Sequence, residues 1–380
     1  MDEKRFKREI LQKEDNSLSP FATKNADAHR KVPIEHPWRG PFARDRDHIL
    51  YSGAFRRYIG KTQVIYNAAS FDEQLANRSI HTLQVSQISR SIGKVLGLNL
   101  DLIEAISLGH DLGHAPFGHD GERFLQEIAR MHKMSLFFHN VHSLRVADML
   151  SDANRGMNLT FQVRDGIISH DGEVNEVKVE PSPDKTEEDI EGYVRRKKSG
   201  EEVTTFPATL EGCLVRITDS ISYIGQDFED AVRIGLIKKS DLPKNIKETL
   251  GENNSEIINT LVQDIIEQSY GVNEIKYSPH IAESVFCLKK FNLHFIYENN
   301  MLKQEREKIR KGFFFLFEHF RQDIRQKKKD SLVFQEWIFN RGEDMGEKYL
   351  SQYSPEEIVT DYLASMTDRY FLNVHDNLKK

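Results

Sequence analysis

The stretch of sequence that decides the fold is His110-Asp-Leu-Gly-His-Ala-Pro-Phe-Gly-His-Asp-Gly-Glu122. It contains three histidines, three carboxylates and three glycines. Histidine and aspartate are costly to bury unless they pair or bind an ion, and glycine allows the backbone to approach a ligand closely. Such a run at the end of a helix predicts a metal-dependent active site.

The residues around this stretch predict helices. From residue 44 to about residue 164, apolar side chains recur at helical spacing. A helix that ends within the stretch is predicted to begin at Asp101, because Asp101 and Glu104 resemble a capping box. A second apolar stripe runs over residues 214–232, with Asp219 on a different face of the same helix. The chain is therefore predicted to be all-α.

The pattern along the chain predicts three regions. Residues 1–40 are polar with scattered prolines, which predicts a mobile N-terminal arm. Residues 41–240 form the helical domain that contains the histidine-rich stretch, and residues 172–208 interrupt it as a polar insertion. This insertion is predicted to be irregular or to hold a short β-hairpin around residues 176–180. Residues 241–380 are predicted to form further helices.

The composition excludes several classes of protein. The chain has 380 residues and a formal net charge of -6, which argues against general coating of nucleic acid. Its two cysteines, Cys213 and Cys287, support neither a disulfide framework nor a structural thiolate zinc site. No export signal and no membrane-spanning segment are recognised. A cytoplasmic protein with no membrane partner is expected.

The adjacent His110 and Asp111 are the first candidate metal ligands. Neighbouring helical residues point about 100° apart, so they converge on one ion best where a helix unwinds, and glycines on both sides permit this. His81 and Asp219 are the plausible further donors. Two imidazoles and two carboxylates suit Mn²⁺, Mg²⁺, Fe²⁺, Co²⁺ or Zn²⁺. Each residue taken alone would more often be a hydrogen-bonded structural residue, and it is their joint occurrence that favours ligation.

Longer motifs extend this pattern and carry a resemblance to a known family. His81, His110-Asp111 and Asp219 resemble the HD-domain phosphohydrolase superfamily. The further motifs are Arg44-Asp-Arg-Asp-His48, Phe55-Arg-Arg57, Lys61-Thr-Gln-Val64, Arg78-x-x-His81, His110-Asp-Leu-Gly-His114, Pro116-Phe-Gly-His119, His139-Asn140-x-x-Ser143-Leu-Arg145, Asp219-x-x-x-Tyr223 and Asp361-Tyr362-x-Ala-x-Met-Thr-Asp-Arg-Tyr370. Over roughly residues 40–375 they resemble the deoxyguanosinetriphosphate triphosphohydrolase (dGTPase) family.

The resemblance implies a fold, an activity and partners. The fold would be an HD-domain helical bundle followed by a C-terminal phosphohydrolase-associated region. The activity would be metal-dependent hydrolysis of a deoxynucleoside triphosphate, dGTP by default, to a deoxynucleoside and inorganic tripolyphosphate. One divalent metal would occupy each site, with Mn²⁺ or Mg²⁺ favoured. The partners would be a dNTP substrate, further copies of the chain in a dimer or hexamer, and single-stranded DNA or a dNTP as effector.

The resemblance also implies catalytic roles. His119 matches the family's catalytic histidine, and Glu122, three residues later, would orient its imidazole and raise its pKa so that it can protonate the leaving 5′-oxygen. A simpler role for Glu122 is to favour the N-terminus of its helix electrostatically. His139 matches a second active-site histidine.

Five more residues are candidate substrate contacts. Arg78 lies one helical turn before His81 on the same face, and the resemblance gives it a contact with the triphosphate. The resemblance places Tyr223 near the sugar, where it would disfavour a ribo 2′-OH. His114 would contact phosphate or only brace the turn. Arg57 and Lys61 would line the same pocket, unless they are ordinary surface cations.

Two other functions fit parts of the sequence. The ligand set alone is shared with HD-type monophosphatases and cyclic-nucleotide phosphodiesterases. A catalytically silent nucleotide or nucleic-acid-binding protein could use the basic and aromatic segment at residues 306–329 as its contact surface. Aromatic residues at consecutive helical positions are normally buried, which favours a core role for this segment.

Overall fold

The computed structural model of the protein describes residues 3–34, 36, 38–62, 77–152, 155–171 and 177–379. Its helices are α1 (Glu3–Ser17), α2 (Pro41–Leu50), α3 (Gly53–Arg56), α4 (Arg78–Leu96), α5 (Leu100–Gly109), α6 (Gly118–Met131), α7 (His139–Arg145), α8 (Phe161–Ser169), α9 (Glu187–Ser199), α10 (Leu210–Arg233), α11 (Lys244–Thr249), α12 (Asn254–Ser269), α13 (Pro279–Asn292), α14 (Asn300–Arg325), α15 (Glu343–Gln352), α16 (Pro355–Ser365) and α17 (Asp368–Leu378). Two strands, β1 (Lys178–Val179) and β2 (Ile275–Lys276), complete the regular structure. The prediction of an all-α fold is confirmed.

Short segments of other helix types join these elements. Turns of 3₁₀ helix occupy Asn25–Asp27, Arg57–Gly60, Lys239–Asp241 and Phe339–Arg341. Single π-helical segments occupy Val146–Leu150, Leu293–Tyr297 and Val333–Ile338. Within the described part of the chain, no helix is long and apolar enough to cross a membrane.

Helices α4, α5 and α10 form the centre of the helical region that contains the histidine-rich stretch, and they position that stretch. Their facing side chains are buried, among them Val85 of α4, Ile106 of α5 and Leu214 of α10. Helix α5 begins at Leu100 rather than at Asp101, because the side chain of Asn99 accepts the backbone N–H of Leu102 at 3.2 Å. Asparagine caps a helix N-terminus as well as aspartate does. Because Asn99 is the N-cap residue, the predicted capping box of Asp101 and Glu104 was wrong.

The N-terminal arm is hydrogen-bonded to the helices that follow it, whereas its polar sequence predicted a mobile arm. The arm contains α1, and the backbone N–H of Ser19 donates to the carbonyl oxygen of Gly97 at 2.8 Å. The buried carboxylate of Glu211 accepts hydrogen bonds from the backbone N–H and the hydroxyl of Thr23 at 3.0 and 2.8 Å. These bonds anchor the arm to α10.

The polar insertion contains a strand and a helix. Strand β1 lies where a hairpin was predicted, but it pairs with β2 in antiparallel register, with Lys178 opposite Lys276. The prediction of a local hairpin was therefore wrong for the described residues, and Glu176 lies outside them. Helix α9 begins with a capping box formed by Thr186 and Asp189. Its buried Ile190 and Tyr193 pack against α7 and α8.

The aromatic segment of the C-terminal region is core. Phe313, Phe317 and Phe320 of α14 are buried against the apolar face of α6 and against α16 and α17. The cations beside them are paired, since Arg306 donates to Asp120 at 2.8 Å and Arg310 donates to Glu127 at 2.6 Å. The aromatic part of the segment on which the nucleic-acid-binding hypothesis depended is therefore core, whereas Lys308 and Lys311 are exposed. The domain boundaries near residues 40 and 240 stay predictions.

Candidate active site

The four predicted metal ligands come together from three helices. His81 lies in the first turn of α4, His110 and Asp111 directly follow α5, and Asp219 lies on α10. Nε2 of His81 lies 3.0 Å from Oδ1 of Asp219, and Nε2 of His110 lies 3.7 Å from the same oxygen. Oδ2 of Asp111 lies 3.4 Å from Nε2 of His110 and 3.9 Å from Nε2 of His81. The four donor groups therefore converge, and donor atoms of His81, His110 and Asp111 all lie within 4.8 Å of one another.

Hydrogen bonds to the outer ring nitrogens turn both imidazoles towards the centre of this four-donor cluster. Nδ1 of His110 lies 2.7 Å from the carbonyl oxygen of Ser107, which can only accept. Nδ1 of His81 lies 3.0 Å from Oγ of Ser222, whose own proton is donated to the carbonyl oxygen of Asp219. Both Nδ1 atoms are therefore the protonated ones, and both Nε2 lone pairs face inwards. Nε2 of His110 is buried and has no hydrogen-bond partner among the described residues, as fits a metal ligand.

The charges of this cluster favour a cation. Burial lowers the pKa of His110, but Asp111 and Asp219 outweigh it and raise that pKa to about 9. Burial raises the pKa of Asp111, but His110 and Arg78 outweigh it and hold that pKa well below its usual value. The buried carboxylate of Asp111 and the partly buried carboxylate of Asp219 thus attract a positive charge to the point between the imidazoles. A divalent cation would compete with a proton for Nε2 of His110, because a ligand nitrogen must be deprotonated.

Arg78 lies beside the cluster, as its register with His81 predicted. Its side chain is 1% exposed, and Nη1 donates to Oδ2 of Asp111. Nε and Nη2 are buried and lack a hydrogen-bond partner in the described part of the chain. A buried guanidinium with two unused donors is unusual, and phosphate oxygens are the acceptors that its planar fork fits best.

Three further histidines stand next to the cluster. The rings of His114 and His139 are stacked with centroids 4.2 Å apart, and the ring of His119 lies 5.3 and 5.7 Å from them. His119 is exposed, whereas the other two are buried. His119 therefore stands on the solvent side of the site.

Glu122 pairs with His139 and not, as predicted, with His119. Its Oε2 lies 2.7 Å from Nδ1 of His139. Glu122 points from α6 into the protein towards α7, while His119 on the same helix points to solvent. Burial lowers the pKa of His139, but the Glu122 carboxylate outweighs it and raises that pKa to about 9. The carboxylate therefore holds the ring of His139 in place.

The remaining candidates are Tyr223, which lies next to the cluster, and the two cations Lys61 and Arg57. The ring of Tyr223 lies 6.3 Å from that of His81, next to the cluster. The prediction that Lys61 lines the pocket was wrong, because its buried ammonium donates to the carbonyl oxygens of His114 and Ala364 and so braces the turn. Arg57 is half-buried, and its pKa is lowered to about 10, first by burial and then by the charge of Arg341.

His170 is a site residue that the sequence interpretation missed. It is buried at the end of α8, and its Nε2 lies 3.2 Å from Nε2 of His139 and 3.8 Å from Oδ1 of Asp111. Its sequence context, His170-Asp-Gly172 after a helical segment, repeats the adjacent histidine and aspartate of the main motif. That second pair was a usable signal.

Two family models match the chain. The HD domain model matches residues 78–224, and the phosphohydrolase-associated domain model matches residues 275–377. The first range contains all four clustered donors. The second contains α14, which packs against α6, together with α16 and nearly all of α17.

Curated relatives match most of the chain, and each is named deoxyguanosinetriphosphate triphosphohydrolase-like protein. The protein from Caldanaerobacter subterraneus is 35% identical over 93% of this chain and 90% of its own length. The one from Clostridium perfringens strain SM101 is 36% identical over 94% and 92%, and the one from Rickettsia bellii 30% over 92% and 94%. A solved hypothetical protein from Aquifex aeolicus aligns with a TM-score of 0.40 and 16% identity, covering 87% of this chain and 67% of that one, which is too weak a likeness to carry an argument.

Proposed function

This chain belongs to the family of deoxyguanosinetriphosphate triphosphohydrolase-like proteins with an HD domain, and we propose that it hydrolyses deoxynucleoside triphosphates to deoxynucleosides and inorganic tripolyphosphate. The default substrate is dGTP, after the family name. The observation that carries the proposal is the four-donor cluster with the buried Arg78 beside it.

His81, His110, Asp111 and Asp219 would hold a divalent cation. Their inward lone pairs, their carboxylates and the unsatisfied Nε2 of His110 fit such an ion. When bound there, it would polarise a phosphoryl oxygen and lower the pKa of a coordinated water. Mixed nitrogen and oxygen donors suit Mn²⁺, Fe²⁺, Co²⁺ and Zn²⁺, and Mg²⁺ is served by the carboxylates.

Arg78 would bind and orient the triphosphate. Its Nε and Nη2 groups are buried next to the cluster with no acceptor among the described residues, so phosphate oxygens would satisfy them. A fixed cation at this place also stabilises negative charge that develops on phosphoryl oxygens in the transition state. Tyr223, one turn beyond Asp219, would stand against the sugar and exclude a ribo 2′-OH.

His119 would donate the proton to the leaving 5′-oxygen. It is the exposed imidazole of the three, so a substrate entering from solvent reaches it first. His139 has both ring nitrogens engaged, by Glu122 and by His170. Glu122 would then act on His139, and His114 would face the phosphates or brace the turn.

The products of the reaction test this function. The purified protein would be incubated with each of the four dNTPs and with GTP in the presence of Mn²⁺, Mg²⁺ or Co²⁺, and the products separated by ion-exchange chromatography. Intact tripolyphosphate and a deoxynucleoside are expected. Orthophosphate instead would indicate an HD-type monophosphatase, and the Asp219→Asn variant controls for contaminating phosphatases. Assembly into a dimer or hexamer and control by single-stranded DNA or a dNTP stay predictions from the resemblance.

A further inference from the structure

Asp111 presents one carboxylate oxygen to each of two groups of donors. Its Oδ2 faces the four-donor cluster and Arg78. Its Oδ1 faces the opposite way, 3.8 Å from Nε2 of His170 and 3.4 Å from Nε2 of His114. Donor atoms of Asp111, His139 and His170 all lie within 4.8 Å of one another. The second group therefore has the composition of a metal site with two histidines and one carboxylate.

The hydrogen bonds of His139 and His170 leave a gap that a cation would fill. Nδ1 of His139 faces the Glu122 carboxylate at 2.7 Å, and Nδ1 of His170 faces the carbonyl oxygen of Ile167 at 2.6 Å. Both outer partners are acceptors, so both Nδ1 atoms carry the proton. If both imidazoles are neutral, their Nε2 lone pairs point at each other across 3.2 Å. Such a pair is repulsive unless a cation, either a shared proton or a metal ion, lies between the two nitrogens.

We propose that His139, His170 and Oδ1 of Asp111 bind a second divalent cation, which Asp111 bridges to the first. The separation of 3.2 Å between the two nitrogens is what two histidine ligands at about 2.1 Å from one ion would show. Paired metal ions in hydrolases lie about 3.5–4 Å apart, a separation that one carboxylate can bridge with one oxygen on each ion. The proposal rests on the proposed function only in taking the first metal from it.

The surroundings of the two imidazoles match those of metal ligands. A ligand histidine usually donates its other ring proton to a carboxylate or a backbone carbonyl, and Glu122 and Ile167 supply one of each. His114 lies on the same side of Asp111, and its Nδ1 is buried with no hydrogen-bond partner among the described residues. Two imidazole donors favour Mn²⁺, Fe²⁺, Co²⁺ or Zn²⁺ over Mg²⁺ at this second position.

Metal content and spectroscopy test the second site without depending on turnover. The protein would be loaded with excess Mn²⁺, freed of unbound ion by gel filtration, and analysed by mass spectrometry for metal per chain and by electron paramagnetic resonance. Two Mn²⁺ per chain with an exchange-coupled signal are expected. His170→Gln should hold one Mn²⁺ with an uncoupled signal, and the control His280→Gln, on an exposed residue of α13, should keep two.

The outcomes separate this inference from the proposed function. One Mn²⁺ per chain in both the natural protein and His170→Gln, lost in His81→Gln, would overturn the second site and leave the first intact. The two imidazoles would then share a proton. No bound Mn²⁺ in the natural protein would overturn both. Circular dichroism shows whether each variant is folded. If His170→Gln does not fold, the exchange-coupled signal of the unmutated protein still decides whether a second Mn²⁺ is bound.

Discussion

At the scale of single residues, Asp219 and His119 separate metal binding from proton transfer. Asp219→Asn removes one negative oxygen donor from the cluster, so we expect it to lose bound metal and turnover together. His119 is exposed and is not among the four clustered donors, so His119→Gln should keep the metal and lose turnover, by about a hundredfold or more for a general acid. Metal analysis of both purified variants, with kcat measured at saturating metal, checks this. A metal-free His119→Gln protein would make His119 a ligand instead.

Arg78 should act mainly on substrate binding. Lysine keeps the charge but lacks the planar fork, so Arg78→Lys loses the two donors that have no acceptor among the described residues. Hydrogen bonds from a charged donor contribute about 1.5–3 kcal/mol, so kcat/KM for the dNTP should fall about tenfold to a hundredfold. Steady-state kinetics with dGTP measures this. Equal metal content in the natural protein and the variant is the control, since Arg78 also contacts Asp111.

Asp227, on α10, makes the stability of the protein depend on pH. Burial, and then the charge of Asp230, raise the pKa of Asp227 to about 7, although the hydroxyl of Tyr297 donates to it at 2.5 Å. The unfolded carboxyl ionises near pH 4, so between about pH 4 and pH 7 the folded state holds more protons and stability falls as pH rises. Asp227→Asn cannot ionise and should escape this loss.

Thermal unfolding at several pH values tests that expectation. The variant should unfold at a higher temperature than the natural protein at pH 8 and at a similar one at pH 4. The difference at pH 8 is about 4 kcal/mol at most, from about three pKa units. Asp344→Asn, at an exposed position, controls for the loss of one charge. An equal shift at both pH values would mean that packing rather than ionisation is responsible.

At the scale of elements, the turn after α5 packs directly against α7. A Cβ atom on Gly113 would lie 2.1 Å from the backbone nitrogen of Ser143 and 2.7 Å from the carbonyl oxygen of His139. The backbone N–H of Gly113 also donates to Oγ of Ser143 at 2.9 Å. Glycine at this position therefore sets the distance between the four-donor cluster and His139.

Gly113→Ala should disturb the site without removing a ligand. The added methyl group has to push α7 away, and overpacking of this kind costs about 1–3 kcal/mol of stability. Turnover should fall more than metal content, because His139 moves with α7. Gly192→Ala in α9, where the nearest atom is 3.9 Å away, is the matched control and should stabilise the protein by up to about 1 kcal/mol. Full activity of Gly113→Ala would show that α7 adjusts freely.

The sequence could predict the cluster but not all of its partners. His110 and Asp111 stand where glycines end a helix, so their convergence follows from local rules. The pairing of Glu122 with His139, and that of β1 with β2, depend on how distant segments pack. Local patterns carry no such information, so the sequence alone pairs Glu122 with the nearest histidine, His119. His170 was within reach, because it repeats the histidine and aspartate signal.

At the scale of the whole molecule, the C-terminal region is hydrogen-bonded to the turn between α5 and α6, which carries active-site residues. The carboxylate of Asp368 accepts the backbone N–H groups of Thr62 and Phe117 at 3.0 and 2.9 Å. Lys61 joins the carbonyl oxygen of His114 to that of Ala364. The turn that follows the four-donor cluster and the phosphohydrolase-associated region are therefore joined by hydrogen bonds, although separate family models match them.

The ion pair between Arg145 of α7 and Asp361 of α16 is the strongest of these contacts between the C-terminal region and the helices of the site. Nε and Nη2 of Arg145 donate to the two carboxylate oxygens at 2.8 and 2.6 Å, and the Tyr349 hydroxyl donates to the same carboxylate at 2.6 Å. Asp361→Leu leaves a mostly buried guanidinium without its partner, which should destabilise the protein by about 3 kcal/mol. Because α7 also carries His139, turnover should fall with stability.

A double-mutant cycle distinguishes the pair from simple loss of packing. Arg145→Met combined with Asp361→Leu removes both charges and leaves none unpaired, so it should destabilise less than the sum of the two single variants. Chemical denaturation of the four proteins measures this coupling, and kcat measured in parallel shows whether the site follows. If the two single effects simply add, Arg145 and Asp361 act independently, and the support of α7 has to come from the contacts of Lys61 and Asp368 instead.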